Sequence, residues 1–157
     1  TRPAPERVRV IGGGDGGTVR DADTRYDVVL VDSTDPVGPA APLFGSGFHA
    51  DVARVLNGAG MVVSQCENPW YEGETQRGLL DILRGVFPEV TLYNYHNLTY
   101  PGGLWSFSFA SKGPRASDAP DPARAAELGP LNWWTPEIHR AAFALPAFQR
   151  RALGLDA

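Results

Sequence analysis

The chain carries Ile-Gly-Gly-Gly-Asp-Gly-Gly at residues 11–17 and Asp-Ser-Thr-Asp-Pro-Val-Gly-Pro at residues 32–39, and these two stretches decide its fold. Each follows a short run of β-branched residues, which predicts a strand that ends in a loop. Ligands of an open α/β sheet bind at the carboxyl ends of its strands. We therefore expect an α/β protein with Asp15, Asp32 and Asp35 at one edge of its sheet.

The glycine loop carries an acid in its centre. A glycine loop that closes on a phosphate offers backbone N–H groups and no carboxylate, because an anion repels a carboxylate. Asp15 stands among five glycines, which argues against a nucleotide pyrophosphate and favours a cationic ligand such as a sulfonium or an amine. The alternative is a tight turn that needs only glycine backbone geometry.

The second loop places Asp32 and Asp35 three residues apart, directly after a predicted buried strand. Asp, Ser and Thr in such a place often form an Asx-turn or a helix N-cap. Two acids in a loop stiffened by Pro36, Gly38 and Pro39 instead favour a preorganised pair. One acid would hold an ammonium group while the other takes a proton.

Composition limits the remaining possibilities. The 157 residues have a net charge of −4 and 43% hydrophobic residues, which is typical of one globular domain and gives no basic surface for nucleic acid or anionic lipid. No apolar stretch approaches the ~20 residues of a membrane span. The single Cys66 fits a reducing compartment. We expect a cytoplasmic protein that binds neither nucleic acid nor a membrane.

Hydrophobic periodicity predicts the order of the elements. The predicted strands are 7–11, 26–32, 60–65, 90–95 and 104–111, of which the last has the period of an antiparallel strand. The predicted helices are 48–56, 74–86, 136–143 and 146–153. Residues 57–60 are predicted to cap the first helix and turn, and residues 112–130 to form a surface excursion.

The connection between the first two strands is short. Only residues 18–25 separate the glycine loop from the second strand, whereas a parallel crossover needs a dozen or more residues. Either the two strands are antiparallel, or the sequence skips residues between about 20 and 21. We favour the skip.

Three segments resemble the signature segments of the spermidine synthase (polyamine aminopropyltransferase) family. They are the glycine loop at 12–17, the acidic loop at 32–39, and Thr-Tyr-Pro-Gly-Gly-Leu-Trp-Ser-Phe at 99–107. Residues 65–70 and 137–146 resemble later segments of that family.

The resemblance implies one catalytic domain over residues 1–157 with a Rossmann-like fold of the class I methyltransferase type. Its sheet would be mostly parallel, with a C-terminal antiparallel strand. The family's N-terminal β domain is not in this chain. Members of the family also carry, between the two loops, an acid that holds the ribose hydroxyls. This chain shows no such acid, which agrees with a skip near residue 20.

The resemblance also implies a reaction, the transfer of an aminopropyl group from decarboxylated S-adenosylmethionine to putrescine. The products would be spermidine and methylthioadenosine. Asp32 matches the family's proton acceptor, while Asp15 and Asp35 would hold cationic nitrogens. No cofactor is expected beyond the co-substrate, and no metal site, because no Cys or acid cluster lies at metal spacing near a histidine.

The remaining site residues follow from the same resemblance. Pro39 matches a position that lines the nucleoside pocket, Tyr100 would bond the reacting amine, and Gln65 and Glu67 would anchor the far amine. The alternatives are a half-buried core aromatic at Tyr100 and a solvated polar strand end at 65–67. The co-substrate is also expected to contact Gly12, Gly13 and Gly14. The substrate is also expected to contact Ser33 and Thr34.

Two other functions remain open. A methyltransferase would share the fold, but its glycine loop usually lacks an internal acid and is rarely paired with a double-Asp loop. A non-catalytic relative that binds a nucleoside or a polyamine is favoured if no residues are skipped. The resemblance implies a diamine and decarboxylated S-adenosylmethionine as small-molecule partners, and a homodimer or homotetramer.

Overall fold

The computed structural model describes residues 4–12, 16–33 and 38–155, except for the side chain of Pro39. Five strands form one sheet: β1 (Val8–Ile11), β2 (Tyr26–Val31), β3 (Leu56–Gln65), β4 (Glu89–His96) and β5 (Leu104–Ser111). Within these residues there are six α-helices: α1 (Gly17–Arg20), α2 (Ser46–Val55), α3 (Gly73–Arg84), α4 (Pro122–Glu127), α5 (Pro136–Ala142) and α6 (Ala147–Ala152). A 3-10 helix, Gly38–Phe44, precedes α2.

The strand order is β1-β2-β3-β5-β4. The first three strands run parallel, with Ile11 opposite Val31 and Val31 opposite Ser64. Strand β5 lies between β3 and β4 and is antiparallel to both. The prediction of a mostly parallel sheet with a C-terminal antiparallel strand is therefore confirmed. The antiparallel alternative for the first two strands is wrong, because residues 12–25 together connect them as parallel neighbours.

One face of the sheet carries the core. Side chains that alternate along the strands point to this face and pack against α2 and α3, whose buried residues include Val52 and Leu83. Burial of this apolar surface is the main stabilising term of the fold. The buried sheet residues on this face are Ile11, Val29, Val31, Val62, Leu92 and Ala110.

The opposite face is covered only in part. Above β4 and β5, residues 114–118 and 133–146 border a cavity of about 950 Å³ that is lined by aromatic and aliphatic side chains. At the other end of the sheet, Val8 and Val10 of β1 are 50% and 64% exposed, and Leu30 beside Val10 is 36% exposed. This face is therefore covered above β4 and β5 and exposed at β1.

One local prediction is wrong. Residues 57–60 do not form a turn. They continue β3 as an irregular stretch, with Leu56 opposite Tyr26 and Met61 opposite Val28. The side chain of Asn57 donates a hydrogen bond to Asp27 Oδ1 (2.7 Å) and so draws the chain into the sheet early. The surface excursion at 112–130 also contains a short helix without buried residues, α4, whose N-cap Asp121 accepts from the backbone of Ala123.

Within the described residues, no helix is long and apolar enough to cross a membrane.

Candidate active site

The carboxyl ends of β1, β2 and β3 lie side by side and bring three predicted site residues to one edge of the sheet. Gly12 follows β1, Asp32 follows β2, and Gln65 ends β3. The backbone N–H of Asp32 donates to the carbonyl of Ile11 (2.8 Å). A Cβ atom at Gly12 would lie 3.4 Å from the carbonyl oxygen of Asp32. The parallel register therefore fixes the backbone of Asp32 beside the glycine loop.

The two neighbours in the acidic loop differ in exposure. The carboxylate residue Asp32 is exposed, whereas Ser33 is buried, with 8% of its surface accessible. An exposed acid at a strand end stays in contact with solvent or ligand rather than with the core. Asp32 is therefore accessible to a substrate.

Part of the predicted site lies outside the described residues. This holds for Gly13, Gly14, Asp15, Thr34 and Asp35, and for the side chain of Pro39. Their expected contacts remain predictions from the sequence.

The exit of the glycine loop requires glycine at residue 16. Gly16 has φ +79°, and a Cβ atom there would lie 2.6 Å from Cδ2 of Phe48. A left-handed conformation and close packing both exclude a larger side chain. The interpretation of the loop as a tight glycine turn is thus correct at its exit, and helix α1 begins at the next residue.

The end of β3 brings the two predicted amine-binding residues together. The side-chain amide of Gln65 donates to Oε1 of Glu67 over 3.4 Å, a long hydrogen bond. Glu67 is 4% exposed and Gln65 is half-buried. The alternative of a solvated strand end is wrong for Glu67, because a water-exposed carboxylate would not be covered to this degree.

Tyr100 lies on the loop between β4 and β5 and is 57% exposed. Its ring centroid is 5.0 Å from that of Trp105, which donates from Nε1 to the carbonyl of Pro101 (3.1 Å). The alternative of a half-buried core aromatic is therefore wrong, and the phenol is accessible to a ligand.

Asn68 joins this loop to the end of β3. The Asn68 side chain is 2% exposed, and its Nδ2 donates to the carbonyl of Pro101 (2.8 Å). Its Oδ1 accepts from the backbone N–H of Trp70 (2.8 Å), which is an Asx-turn. The sequence analysis gave Asn68 no role, although an Asn two residues before Trp70 is a signal for such a turn.

Trp70 and Cys66 contact other parts of the protein, as expected for structural residues. Trp70 stacks on Phe148 with ring centroids 3.9 Å apart. Burial raises the pKa of the Cys66 thiol to about 12, so the thiol is protonated at neutral pH and is a poor nucleophile. This agrees with the interpretation of Cys66 as a small buried residue.

The three histidines have different surroundings. His49 of α2 is fully buried, and burial lowers its pKa to about 4, so it is neutral in the folded protein. His96 ends β4, and His139 lies in α5. Across the described parts of the chain, no three His, Cys, Asp or Glu side chains are grouped as a metal site would require.

Comparisons with known proteins agree with this architecture. The model of the spermine/spermidine synthase domain matches residues 18–119. A polyamine aminopropyltransferase from Leptospira biflexa is 35% identical over 204 aligned positions, which cover 96% of this chain and 72% of the relative. A polyamine aminopropyltransferase from Shouchella clausii is 33% identical over 202 positions, with 94% and 72% covered.

Solved structures give the same result. A spermidine synthase in complex with the transition-state analogue AdoDATO superposes with a TM-score of 0.88 at 28% identity, over 98% of this chain and 71% of that chain. The spermidine synthase from Thermotoga maritima gives a TM-score of 0.85 at 28% identity, over 98% and 70%. The fold and the comparisons together define a transferase with a Rossmann-like fold. The chain belongs to the spermine/spermidine synthase family of aminopropyltransferases, as the sequence motifs predicted.

The alignments also bear on the length of the connection between β1 and β2. An alignment of 204 positions is longer than this chain of 157 residues. The relative therefore carries residues inside the aligned region that have no counterpart here. The skip near residue 20 remains a prediction about where they belong.

Proposed function

We propose that this chain transfers the aminopropyl group of decarboxylated S-adenosylmethionine to putrescine, which yields spermidine and methylthioadenosine. The observation that carries the proposal is the exposed carboxylate of Asp32 at the carboxyl end of β2. It lies between the glycine loop after β1 and the Gln65–Glu67 pair after β3. Membership of the family supports the reaction class.

The chemistry needs a base at this position. Both amines of putrescine are protonated at neutral pH, and a protonated nitrogen has no free electron pair. Asp32 accepts a proton from one amine, and the nitrogen then attacks the methylene carbon beside the sulfonium. The new C–N bond forms as the C–S bond breaks. The electron pair of the C–S bond stays on sulfur and converts the sulfonium into the neutral thioether of methylthioadenosine. Methylthioadenosine leaves as a neutral thioether, so no further cofactor is proposed.

Acidic residues bind the cationic groups of the two substrates. Asp15 and Asp35 hold cationic nitrogens by charge-assisted hydrogen bonds, and Asp15 takes the amine of the aminopropyl group. Glu67, with Gln65 beside it, anchors the ammonium of putrescine that does not react. Burial of Glu67 supports this role, because a buried carboxylate binds an ammonium more strongly than an exposed one.

The other contacts complete the two pockets. Tyr100 donates or accepts a hydrogen bond at the reacting amine, and its exposure supports this. Pro39 lines the nucleoside pocket, and Ser33 and Thr34 contact substrate through the same loop. Backbone groups of the glycine loop, at Gly12, Gly13 and Gly14, approach the co-substrate closely.

The chain is proposed to act in the cytoplasm as a homodimer or homotetramer, with the diamine and the sulfonium nucleoside as its small-molecule partners. The acidic composition, with a net charge of −4, agrees with cationic substrates.

A second candidate function is nucleoside or polyamine binding without turnover. The observation that favours it is the short connection of residues 12–25, given that an aligned relative carries residues with no counterpart here. Such a protein would bind methylthioadenosine but would form no spermidine.

Substitution of Asp32 tests the proposed role of this residue. Asp32→Asn is expected to lower aminopropyl transfer about 10²-fold or more, the usual loss for a general base, with the fold intact. Asp81→Asn removes the same charge from an exposed ion pair on α3 and serves as the control. Near-normal turnover by Asp32→Asn at neutral pH would exclude Asp32 as the base.

A further inference from the structure

The backbone of Glu67 has an unusual conformation. Glu67 has φ +60° and is the only residue other than glycine with a positive φ in the described parts of the chain. A side chain with a Cβ atom is sterically disfavoured in this left-handed region. Such a conformation persists only where the surrounding structure imposes it, and it is concentrated at functional sites.

Two buried side chains hold the backbone on each side of Glu67. Ser106 of β5 and Gln76 of α3 are both fully buried. The hydroxyl of Ser106 lies 2.6 Å from the carbonyl oxygen of Cys66 and 2.9 Å from that of Glu67. Nε2 of Gln76 lies 3.0 Å and 3.3 Å from the same two oxygens. Both carbonyl groups are therefore held from the core side.

The donors and acceptors of this cluster match. Nε2 of Gln76 also lies 2.8 Å from Ser106 Oγ, so one of its two protons goes to the hydroxyl oxygen. The single proton of the hydroxyl is then free for the carbonyl of Cys66, its shortest contact. The second proton of Gln76 is shared between the two carbonyl groups. The backbone N–H of Ser106 also donates to the carbonyl of Glu67 (3.1 Å).

A third side chain fixes the orientation of Gln76. The amide of Gln149 in α6 donates to Oε1 of Gln76 (3.3 Å), and Gln149 also exchanges hydrogen bonds with Asn94 of β4 (2.7 and 3.2 Å). Because Oε1 of Gln76 accepts from Gln149, its Nε2 must face β3. Gln149 itself has no hydrogen bond to Cys66 or Glu67 among those of the described residues.

We propose that Gln76 is a positioning residue for the amine acceptor and acts through the carboxylate of Glu67. This rests on the proposed role of Glu67 in binding the unreactive ammonium. With Gln76 and Ser106 in place, the left-handed turn keeps the carboxylate beside Gln65. Without these hydrogen bonds, Glu67 relaxes to a favoured backbone conformation, and its carboxylate leaves that position. Gln76 contacts neither substrate.

The test compares three variants of buried side chains. Gln76→Met removes the amide at nearly constant volume, and Ser106→Ala removes one hydroxyl and is the milder change. Both are expected to raise the KM of putrescine about 10-fold and to leave kcat and the Kd of methylthioadenosine nearly unchanged, since they weaken only acceptor binding. Ser108→Ala is the matched control, because it removes a buried hydroxyl of the same strand that donates to the carbonyl of Ser64 (3.3 Å); it is expected to lower the melting temperature without changing that KM.

A double variant tests whether Gln76 acts through Glu67. Glu67→Gln is expected to raise the KM of putrescine, and addition of Gln76→Met is expected to raise it no further. An additive rise, or an equal rise in Ser108→Ala, would overturn the proposal. An unchanged KM in both Gln76→Met and Ser106→Ala would do the same. A wild-type protein without any transfer would instead contradict the proposed function.

A stability measurement tests, independently of enzyme activity, whether Gln76 holds the left-handed turn at Glu67. Glu67→Gly removes the steric cost of the left-handed conformation. In the wild type, relaxation of the strained Glu67 offsets part of the loss of hydrogen bonds, whereas glycine has no strain to release. The loss of melting temperature caused by Gln76→Met is therefore expected to be larger in the Glu67→Gly background than in the wild type. Equal losses in the two backgrounds would show that Gln76 does not hold this turn.

Discussion

At the residue scale, Asp32 combines an accessible carboxylate with a fixed backbone. Its N–H is bonded to β1, and its carbonyl oxygen lies against Gly12. This combination suits a general base, because proton transfer depends on geometry that the surrounding structure holds in advance. Glu67 shows the same principle by a different route, through a left-handed backbone held from the core.

Asp15 gives a prediction that separates the two halves of the co-substrate. Asp15→Asn is expected to weaken binding of decarboxylated S-adenosylmethionine about 10-fold or more, and to affect methylthioadenosine much less. Only the former carries the primary amine and the sulfonium charge. Isothermal titration calorimetry measures both affinities, and equal losses would make Asp15 a turn residue.

His49 gives a prediction about acid stability. Its pKa is about 4 in the folded protein and about 6.5 when exposed. The unfolded chain therefore binds the proton first, so the free energy of unfolding is unaffected above pH 6.5 and falls as the pH drops from 6.5 towards 4. The full loss is about 3 kcal/mol.

Replacement of His49 tests this directly. Both ring nitrogens of His49 lack a hydrogen-bond partner in the described structure, so His49→Leu leaves no described group unpaired. This variant is expected to lose much of its pH dependence between 6.5 and 4 in urea unfolding. His96→Gln, at the exposed end of β4, is the control and should retain it. An unchanged slope in His49→Leu would contradict a neutral buried His49.

At the scale of elements, the loop of Tyr100 depends on its contact with the end of β3. Asn68 bonds the carbonyl of Pro101, and Gly102 packs against the Asn68 side chain. The loop and the β3 end therefore form one unit, although Asn68 and Pro101 are 33 positions apart in the sequence.

A pair of glycines in this loop tests the packing. Gly102 and Gly103 both have a positive φ (+81° and +67°), but a Cβ atom at Gly102 would lie 2.6 Å from Asn68 Nδ2, whereas the nearest atom to one at Gly103 is 4.0 Å away. Gly103→Ala is expected to cost about 1 kcal/mol from the backbone alone. Gly102→Ala should cost clearly more and also raise the KM of putrescine. Equal unfolding free energies for the two variants would contradict the contact.

The sequence predicted those elements that have a strong periodic pattern. Strand β5 was predicted with its correct ends, because polar and apolar residues alternate along it. The stretch 57–60 was predicted as a turn from its two glycines, but the bond from Asn57 to Asp27, 30 residues away, decides its conformation. Gln76 was missed because its partners come from the segment after β3, from β5 and from α6, which no local pattern in α3 reveals.

At the scale of the molecule, the sheet has one closed face and one partly open face. Helices α2 and α3 seal the first face, whereas Val8, Val10 and Leu30 remain exposed on the second. The motifs predicted the family and the edge of the sheet where the site lies. Sequence alone left open whether β1 and β2 are parallel, because their connection was counted only as residues 18–25; the register of β1 on β2 decides that they are.

The central claim is aminopropyl transfer, and product analysis of the purified protein tests it most directly. The protein is incubated with decarboxylated S-adenosylmethionine and putrescine, and spermidine and methylthioadenosine are quantified by mass spectrometry. The account predicts that both products form in equal amounts and that neither forms without putrescine. Binding of methylthioadenosine with no spermidine formed would contradict the account and favour a binding protein without turnover.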